Sequence, residues 1–195
     1  QRAGAKTQGR RRVKWLDRVI RDWRISRALP RLAKADRVLD VGCGDGEICR
    51  RLAKRGVSGV GIDPRLAKRP DVAGFDFIAG NFPNASPEGE PFDAITMLAV
   101  LEHVPAGQKP IWVEACHARL VKGGVVVLTV PSPRVDSILA VLRFFRLVDG
   151  MALEEHHGFD PNEVGPLFEA AGFQRVIHKT FQFGLNNLFV FSKTT

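Results

Sequence analysis

The sequence predicts an α/β fold: a seven-stranded, mostly parallel sheet with one antiparallel strand, covered by helices on both faces in a three-layer α/β/α arrangement. Three observations predict it. Strand-like apolar runs alternate with helical patterns from about residue 36 to the C-terminus. A glycine-rich turn, with Gly42, Gly44 and Gly46 at every second position, joins the first of those runs to a helix. The last two strand-like runs, 174–183 and 187–192, follow one another directly as a hairpin, which reverses the chain once within an otherwise parallel set. With 195 residues the chain is long enough for one such core.

Taken in chain order, residues 1–9 are polar and expected to be disordered. Residues 13–29 show helical periodicity, with Trp15, Leu16, Val19, Ile20 and Trp23 on one face and Arg18, Arg21 and Arg24 elsewhere around the helix. Val38, Leu39 and Val41 around Asp40 read as a buried strand, and a helix begins near Glu47. GVGI (59–62) is a second strand ending in Asp63, and FDFIAGNF (75–82) a third ending in Asn81 and Phe82. SPEGEP (86–91) is a turn-forming insert, followed by FDAITMLAVLEHVP (92–105) as a fourth strand and its loop. In ARLVKGGVVVLTVPSP (118–133) a helix ends with Lys122 in its last turn and glycine at its C-cap, and a fifth strand follows. Residues 134–151 are dense in Leu, Val, Ile and Phe, interrupted by Arg143 and Arg146. Asp160 at the N-cap, Pro161 at the first helical position and Glu163 at N3 then open a helix that ends at Gly172. The chain thus divides into a basic arm and amphipathic helix (1–35) and a single α/β domain (36–195) containing the apolar insert.

Charge is uneven. The chain carries +8, yet its first 37 residues alone carry +10. A basic helix with tryptophans suits an anionic membrane surface or another polyanion; it equally suits a helix that packs its Trp face on the domain and leaves its arginines in water. No run of eighteen apolar residues is present, and no stretch reads as a secretory signal. Cys43, Cys49 and Cys116 are odd in number and lack metal-type spacing, so a reduced, cytoplasmic setting is expected, with peripheral membrane contact through the N-terminal helix as a further expectation.

The glycine turn sets the chemistry. Glycine is required where backbone turns sharply and meets a ligand without a Cβ in the way. A dinucleotide fingerprint, G-x-G-x-x-G, places pyrophosphate on the helix N-terminus. Here the third glycine comes one residue early and Glu47 occupies the required position, with Asp45 beside it. Acidic side chains there would repel pyrophosphate. Asp40 suits a cationic group such as an α-amino group or a sulfonium, and Asp63, at the next strand end, is placed to hold a ribose diol. The combination implies a cationic nucleoside across two adjacent strand ends.

The D-x-G-x-G-x-G pattern of residues 40–46 with a later acidic strand end resembles the class I S-adenosylmethionine-dependent methyltransferases, which have a Rossmann-like fold. Ala-Val-Leu-Glu-His (99–103) resembles the matching loop of quinone-biosynthesis O-methyltransferases and of small-RNA 2′-O-methyltransferases. The resemblance implies S-adenosylmethionine as cofactor and S-adenosylhomocysteine as product. It implies contacts from Asp40, Gly42, Cys43, Gly44, Gly46, Asp63, Pro64, Asn81, Phe82 and Leu98. Asn81 stands where the family usually has an acidic reader of the adenine amino group, and an amide can both donate and accept there. In the O-methyltransferases a Glu-x-x-Glu-His set holds a divalent metal. This chain has Ala99 in place of the first Glu and keeps Glu102 and His103, and loss of a carboxylate removes much affinity for a hard cation. No metal is assigned, and a structural bond is expected for Glu102.

Methyl transfer from a sulfonium is an in-line displacement needing mostly positioning, plus a base for the acceptor proton. His103 and His156 are the catalytic candidates, with His157 adjacent to the second; His103 also reads as a residue that shapes the pocket without a catalytic role. His117 and His178 carry no functional reading. The expected reaction is methylation of oxygen on a small or lipid-linked acceptor, with the insert 134–151 as acceptor wall or cap. The alternatives are an RNA 2′-O-methyltransferase, favoured by charge but lacking an aromatic stacking motif, and a non-catalytic cofactor-binding module.

Overall fold

A computed structural model describes residues 15–132 and 160–194. The elements are α1 (Trp15–Ala28), β1 (Arg37–Val41), α2 (Glu47–Ala53), β2 (Ser58–Asp63), β3 (Phe75–Ala79), β4 (Phe92–Leu98), α3 (Lys109–Arg119), β5 (Leu120–Pro131), α4 (Val164–Ala170), β6 (Phe173–Phe181) and β7 (Asn186–Lys193). Short 3₁₀ turns follow α1 and β4 and precede α3 and α4. The insert 134–151 and both His156 and His157 lie outside the described residues.

Seven strands form one sheet in the order β3-β2-β1-β4-β5-β7-β6. β1 pairs in parallel with both β2 and β4, and β7 runs antiparallel between β5 and β6. A single reversal, made by the final hairpin, therefore leaves six strands parallel and β7 opposed, as the sequence predicts. The chain winds outward from β1 in both directions, so a crevice opens at the carboxyl ends of β1 and β4, where ligands bind in such sheets.

Each face of the sheet is buried under helices. On one face Ile25 and Ala28 of α1, Leu29 and Leu32 beyond it, and Ile48, Cys49 and Leu52 of α2 pack on Val38, Ala94 and Val127. On the other, Val113 and Cys116 of α3 and Val164 and Phe168 of α4 pack on Leu39, Ile95, Val126 and Phe191. Phe168 stacks on Phe191 with ring centroids 4.3 Å apart. Ile25, Ala28, Leu29 and Leu32 are buried in the domain core although they precede residue 36.

Three local expectations are corrected. α1 buries its tryptophan face only in part: Trp23 packs half-buried against the core that Ile25 and Ala28 enter, Arg21 and Arg24 reach the crevice, and Val19 is 48% exposed. Periodicity locates an apolar stripe but not what lies opposite it. The helix before β5 ends at Arg119, not at Lys122, because Leu120 already pairs with Phe92. The register then slips so that Ala94 meets Val125, and Lys122-Gly123 belong to that bulge, with Gly123 at φ +76°. β3 ends at Ala79, leaving Asn81 and Phe82 in the loop beyond it. The Asp160 cap forms as expected, its carboxylate accepting the Asn162 N–H at 2.9 Å.

Candidate active site

Two adjoining cavities occupy the crevice, and Gly42 lies on the wall of both. The wider, of about 790 Å³, is bounded by Asp63, Pro64, Asn81, Phe82, Ala99, Val100 and His103, and extends to Ile111 and Trp112 at the start of α3. The narrower, of about 300 Å³, is bounded by Asp40, Cys43, Gly44, Asp45 and Leu98 from the strand ends, and by Arg21 and Arg24 from α1. The first offers a carboxylate and an amide beside apolar walls, as a nucleoside requires. The second offers a carboxylate facing guanidinium groups, as an amino acid head requires.

The glycines divide by role. Gly42, Gly44 and Gly46 all adopt left-handed backbone, at φ +78°, +53° and +77°. A Cβ on Gly42 would lie 2.4 Å from Val100 Cγ2, whereas one on Gly44 would stand in open space where a ligand's approach needs clearance. Gly46 bounds neither cavity. A Cβ there would meet the Phe77 ring at 3.0 Å, so this glycine serves close packing of α2 on β3.

Asp63 is buried, and its position is held by backbone: Gly44 N–H donates to Oδ2 at 3.0 Å and Arg65 N–H to Oδ1 at 2.7 Å. Each oxygen keeps a lone pair for a ribose hydroxyl. Asp40 is buried at the end of β1, where burial pushes its carboxyl up to about 7, opposed by hydrogen bonds from Thr96 Oγ1 at 2.6 Å and Cys49 Sγ at 3.6 Å. Such a group ionises readily once a cation sits beside it.

Glu47 is not the bare repulsive charge its sequence position implies. Burial raises it, but Arg51 and Arg50, at 2.8 and 2.7 Å, outweigh that and hold its carboxyl below the usual range. Asp45 is bridged by Arg21 at 2.9 Å. The early third glycine, more than net charge, thus separates this loop from a dinucleotide fingerprint.

Of the two catalytic candidates, His103 is half-buried on the wall of the wide cavity, and His156 lies outside the described residues. Asn81 is exposed at the same cavity, and buried Phe82 meets Trp112 edge to face with centroids 5.1 Å apart. Glu102 is buried and does not bound either cavity. The structural bond expected of it is not found for Oε2, which has no hydrogen-bond partner among the described residues. Burial pushes Glu102 up to about 7, opposed by a hydrogen bond from its own backbone N–H and then by Arg24. No three His, Cys, Asp or Glu side chains come together as a metal set among the described residues.

Arg21 and Arg24 are the site residues that sequence reasoning missed. Their place follows only once packing turns Ile25 and Ala28 inward, since positions 21 and 24 then share the inner face. Arg24 Nε also donates to Asn186 Oδ1 at 3.3 Å, tying α1 to the β6–β7 hairpin.

Comparison with known proteins agrees with this geometry. A family model described as a methyltransferase domain matches residues 12–179. The chain is 27% identical over 184 residues to a ubiquinone biosynthesis O-methyltransferase of Psychrobacter arcticus, covering 84% of this chain and 70% of that one. It is 29% identical over 178 residues to the protein of the same name from Pseudomonas entomophila, with coverage of 84% and 70%. Among solved structures, its fold is similar to that of a Burkholderia thailandensis 1,6-didemethyltoxoflavin-N1-methyltransferase with bound S-adenosylhomocysteine (TM-score 0.69, 19% identity, 93% of this chain and 81% of that one). It is also similar to a magnesium protoporphyrin IX methyltransferase from Synechocystis (TM-score 0.68, 16% identity, 95% and 90%). The chain belongs to the methyltransferase-domain family, as a class I enzyme that uses S-adenosylmethionine.

Proposed function

We propose that this methyltransferase acts on an oxygen of a small or lipid-linked acceptor. Support for oxygen comes from the ubiquinone-biosynthesis relatives. The observation that carries the acceptor class is the wide cavity, whose wall beyond Asp63 and Asn81 turns apolar at Val104, Ile111 and Trp112 beside His103. When bound, S-adenosylmethionine supplies an electrophilic methyl on a sulfonium.

The chain's own residues position and neutralise. Asp63 accepts from the ribose hydroxyls, Asn81 reads the adenine edge, and Pro64 and Phe82 line the cavity that holds the ring. Asp40 faces the α-ammonium, while Arg24 faces the α-carboxylate from α1. Leu98 and Val100 close the loop after β4 against the glycine turn. His103 takes the acceptor's hydroxyl proton as the oxygen–carbon bond forms and the carbon–sulfur bond breaks.

A transfer assay with label in the donor methyl, over extracts split into lipid, small-molecule, RNA and protein pools, tests this. Label is expected in the lipid or small-molecule pool as an alkali-stable methyl ether, and Asp63→Ala is expected to lose both transfer and calorimetric cofactor binding. Label in RNA alone supports the RNA reading instead. Cofactor binding without transfer to any pool returns the chain to a binding module.

A further inference from the structure

The outer surface of α1 and the tip of the final hairpin are not used by the site. The tip, residues 182–185, is a tight turn with Gly184 N–H on Phe181 O at 3.2 Å and Leu185 N–H on Gln182 O at 3.1 Å. Gln182 and Phe183 both hold left-handed backbone, at φ +52° and +57°, where side chains larger than glycine are disfavoured. Phe183 nonetheless projects into solvent, 95% exposed. The tip is anchored: Gln182 Nε2 donates to Ile20 O of α1 at 3.2 Å, and Phe183 meets Trp23 edge to face with centroids 6.2 Å apart.

Val19, Trp23 and Arg27 stand one turn apart along α1; Val19 and Arg27 are exposed, as is Arg18, and Trp23 is half-buried between the core and the hairpin tip. Asp22 of α1 is bridged by Arg51 at 2.8 Å, and Asp45 by Arg21 at 2.9 Å. What is presented outward is therefore an anchored aromatic tip, an exposed valine and the free edge of Trp23, flanked by arginine, and the preceding sequence adds Arg10, Arg11, Arg12 and Lys14. Aromatic and aliphatic groups with flanking arginines are the composition that seats in the headgroup layer of an anionic bilayer.

We propose that Val19, Trp23 and Phe183, with Arg18 and Arg27, form a docking surface for an anionic membrane, Phe183 entering the interface as a fixed wedge. The inner face of the same helix carries Arg24 to the cofactor cavity, so docking sets the crevice beside the bilayer, where a lipid-linked acceptor is met. That consequence rests on the acceptor class proposed above, whereas the surface itself does not.

Sedimentation of the full chain with phosphatidylcholine vesicles, with and without about one-third phosphatidylglycerol, tests the proposal without turnover. Anionic vesicles are expected to bind the chain and neutral ones to bind it weakly, with the difference shrinking as salt rises. Phe183→Asn is expected to lower partition about tenfold, on the scale of withdrawing one aromatic side chain from the interface. The same variant is expected to keep or raise the melting temperature, since asparagine tolerates left-handed backbone. Arg18→Glu with Arg27→Glu is expected to abolish the preference for anionic lipid. Equal partition of Phe183→Asn and the unsubstituted chain overturns the proposal, as does indifference to lipid charge. A lipid-free dimer that Phe183→Asn dissolves overturns it in favour of an interface between copies, and loss of binding to single-stranded RNA with vesicle partition intact overturns it in favour of RNA.

Discussion

Asp40 and Asp63 end neighbouring strands, yet burial treats them differently. Asp63 is fixed by two backbone N–H groups, the Gly44 donor among them, so the loop that approaches the ligand also orients the carboxylate. Among the described residues the Asp40 carboxylate has a hydroxyl and a thiol as side-chain partners, and burial lifts it from 3.8 to about 7. The sign follows. In the ligand-free protein this raised group contributes stability that is full below about pH 4 and lost as pH rises to about 7. For a cationic ligand the order reverses, because only the ionised form attracts it. Affinity for S-adenosylmethionine is therefore expected to rise about tenfold between pH 6 and 8 as one proton leaves. Calorimetry on Asp40→Asn checks this: its affinity is expected to be weak and flat over that range.

At the scale of the element, α1 carries two jobs on adjacent residues. Ile25 is 3% exposed in the core, and Arg24 lines the cofactor cavity. Ile25→Ala is expected to lower unfolding free energy by about 2–4 kcal/mol through the cavity it leaves. Arg24→Ala is expected to lower cofactor affinity at least about tenfold, on the scale of a hydrogen bond to a charged group. Denaturant melts and calorimetry on both variants separate the two jobs. The same burial explains why deleting residues 1–33 would not isolate a surface role of the basic arm: Leu29 and Leu32 leave the core with it.

At the scale of the whole molecule, cofactor binding and folding are linked, because the crevice is built from β1, β2, β4 and α1 together. Saturating S-adenosylmethionine at a hundred times its Kd is expected to add about 2.7 kcal/mol to stability. For a chain of this size the melting midpoint rises by about 5–10 °C. NAD, whose pyrophosphate the glycine spacing does not accommodate, is expected to leave it unmoved. Thermal melts with each ligand check the pair.

The mostly parallel sheet, the closing hairpin and the carboxylate at the end of the second strand were legible in the sequence because each is written locally. Alternation, a glycine triplet and an acidic strand end are short-range patterns that backbone sterics and burial turn into structure directly. The site's other half was not legible, because a helical stripe records amphipathicity and not direction. Only packing against Val38, Ala94 and Val127 decided that Ile25 and Ala28 face inward. That choice carries Arg21 and Arg24 to the wall of the narrower cavity and leaves Val19 exposed and Trp23 half-buried beside Phe183. Likewise Gly46 reads as a ligand glycine until Phe77, thirty-one residues on, is seen against it. The sequence by itself determined the fold, the donor and the loop that receives it, since those rest on local backbone geometry. The tertiary structure decided which charges meet the ligand and which surface meets the outside, since both depend on residues distant in the chain coming to share one face.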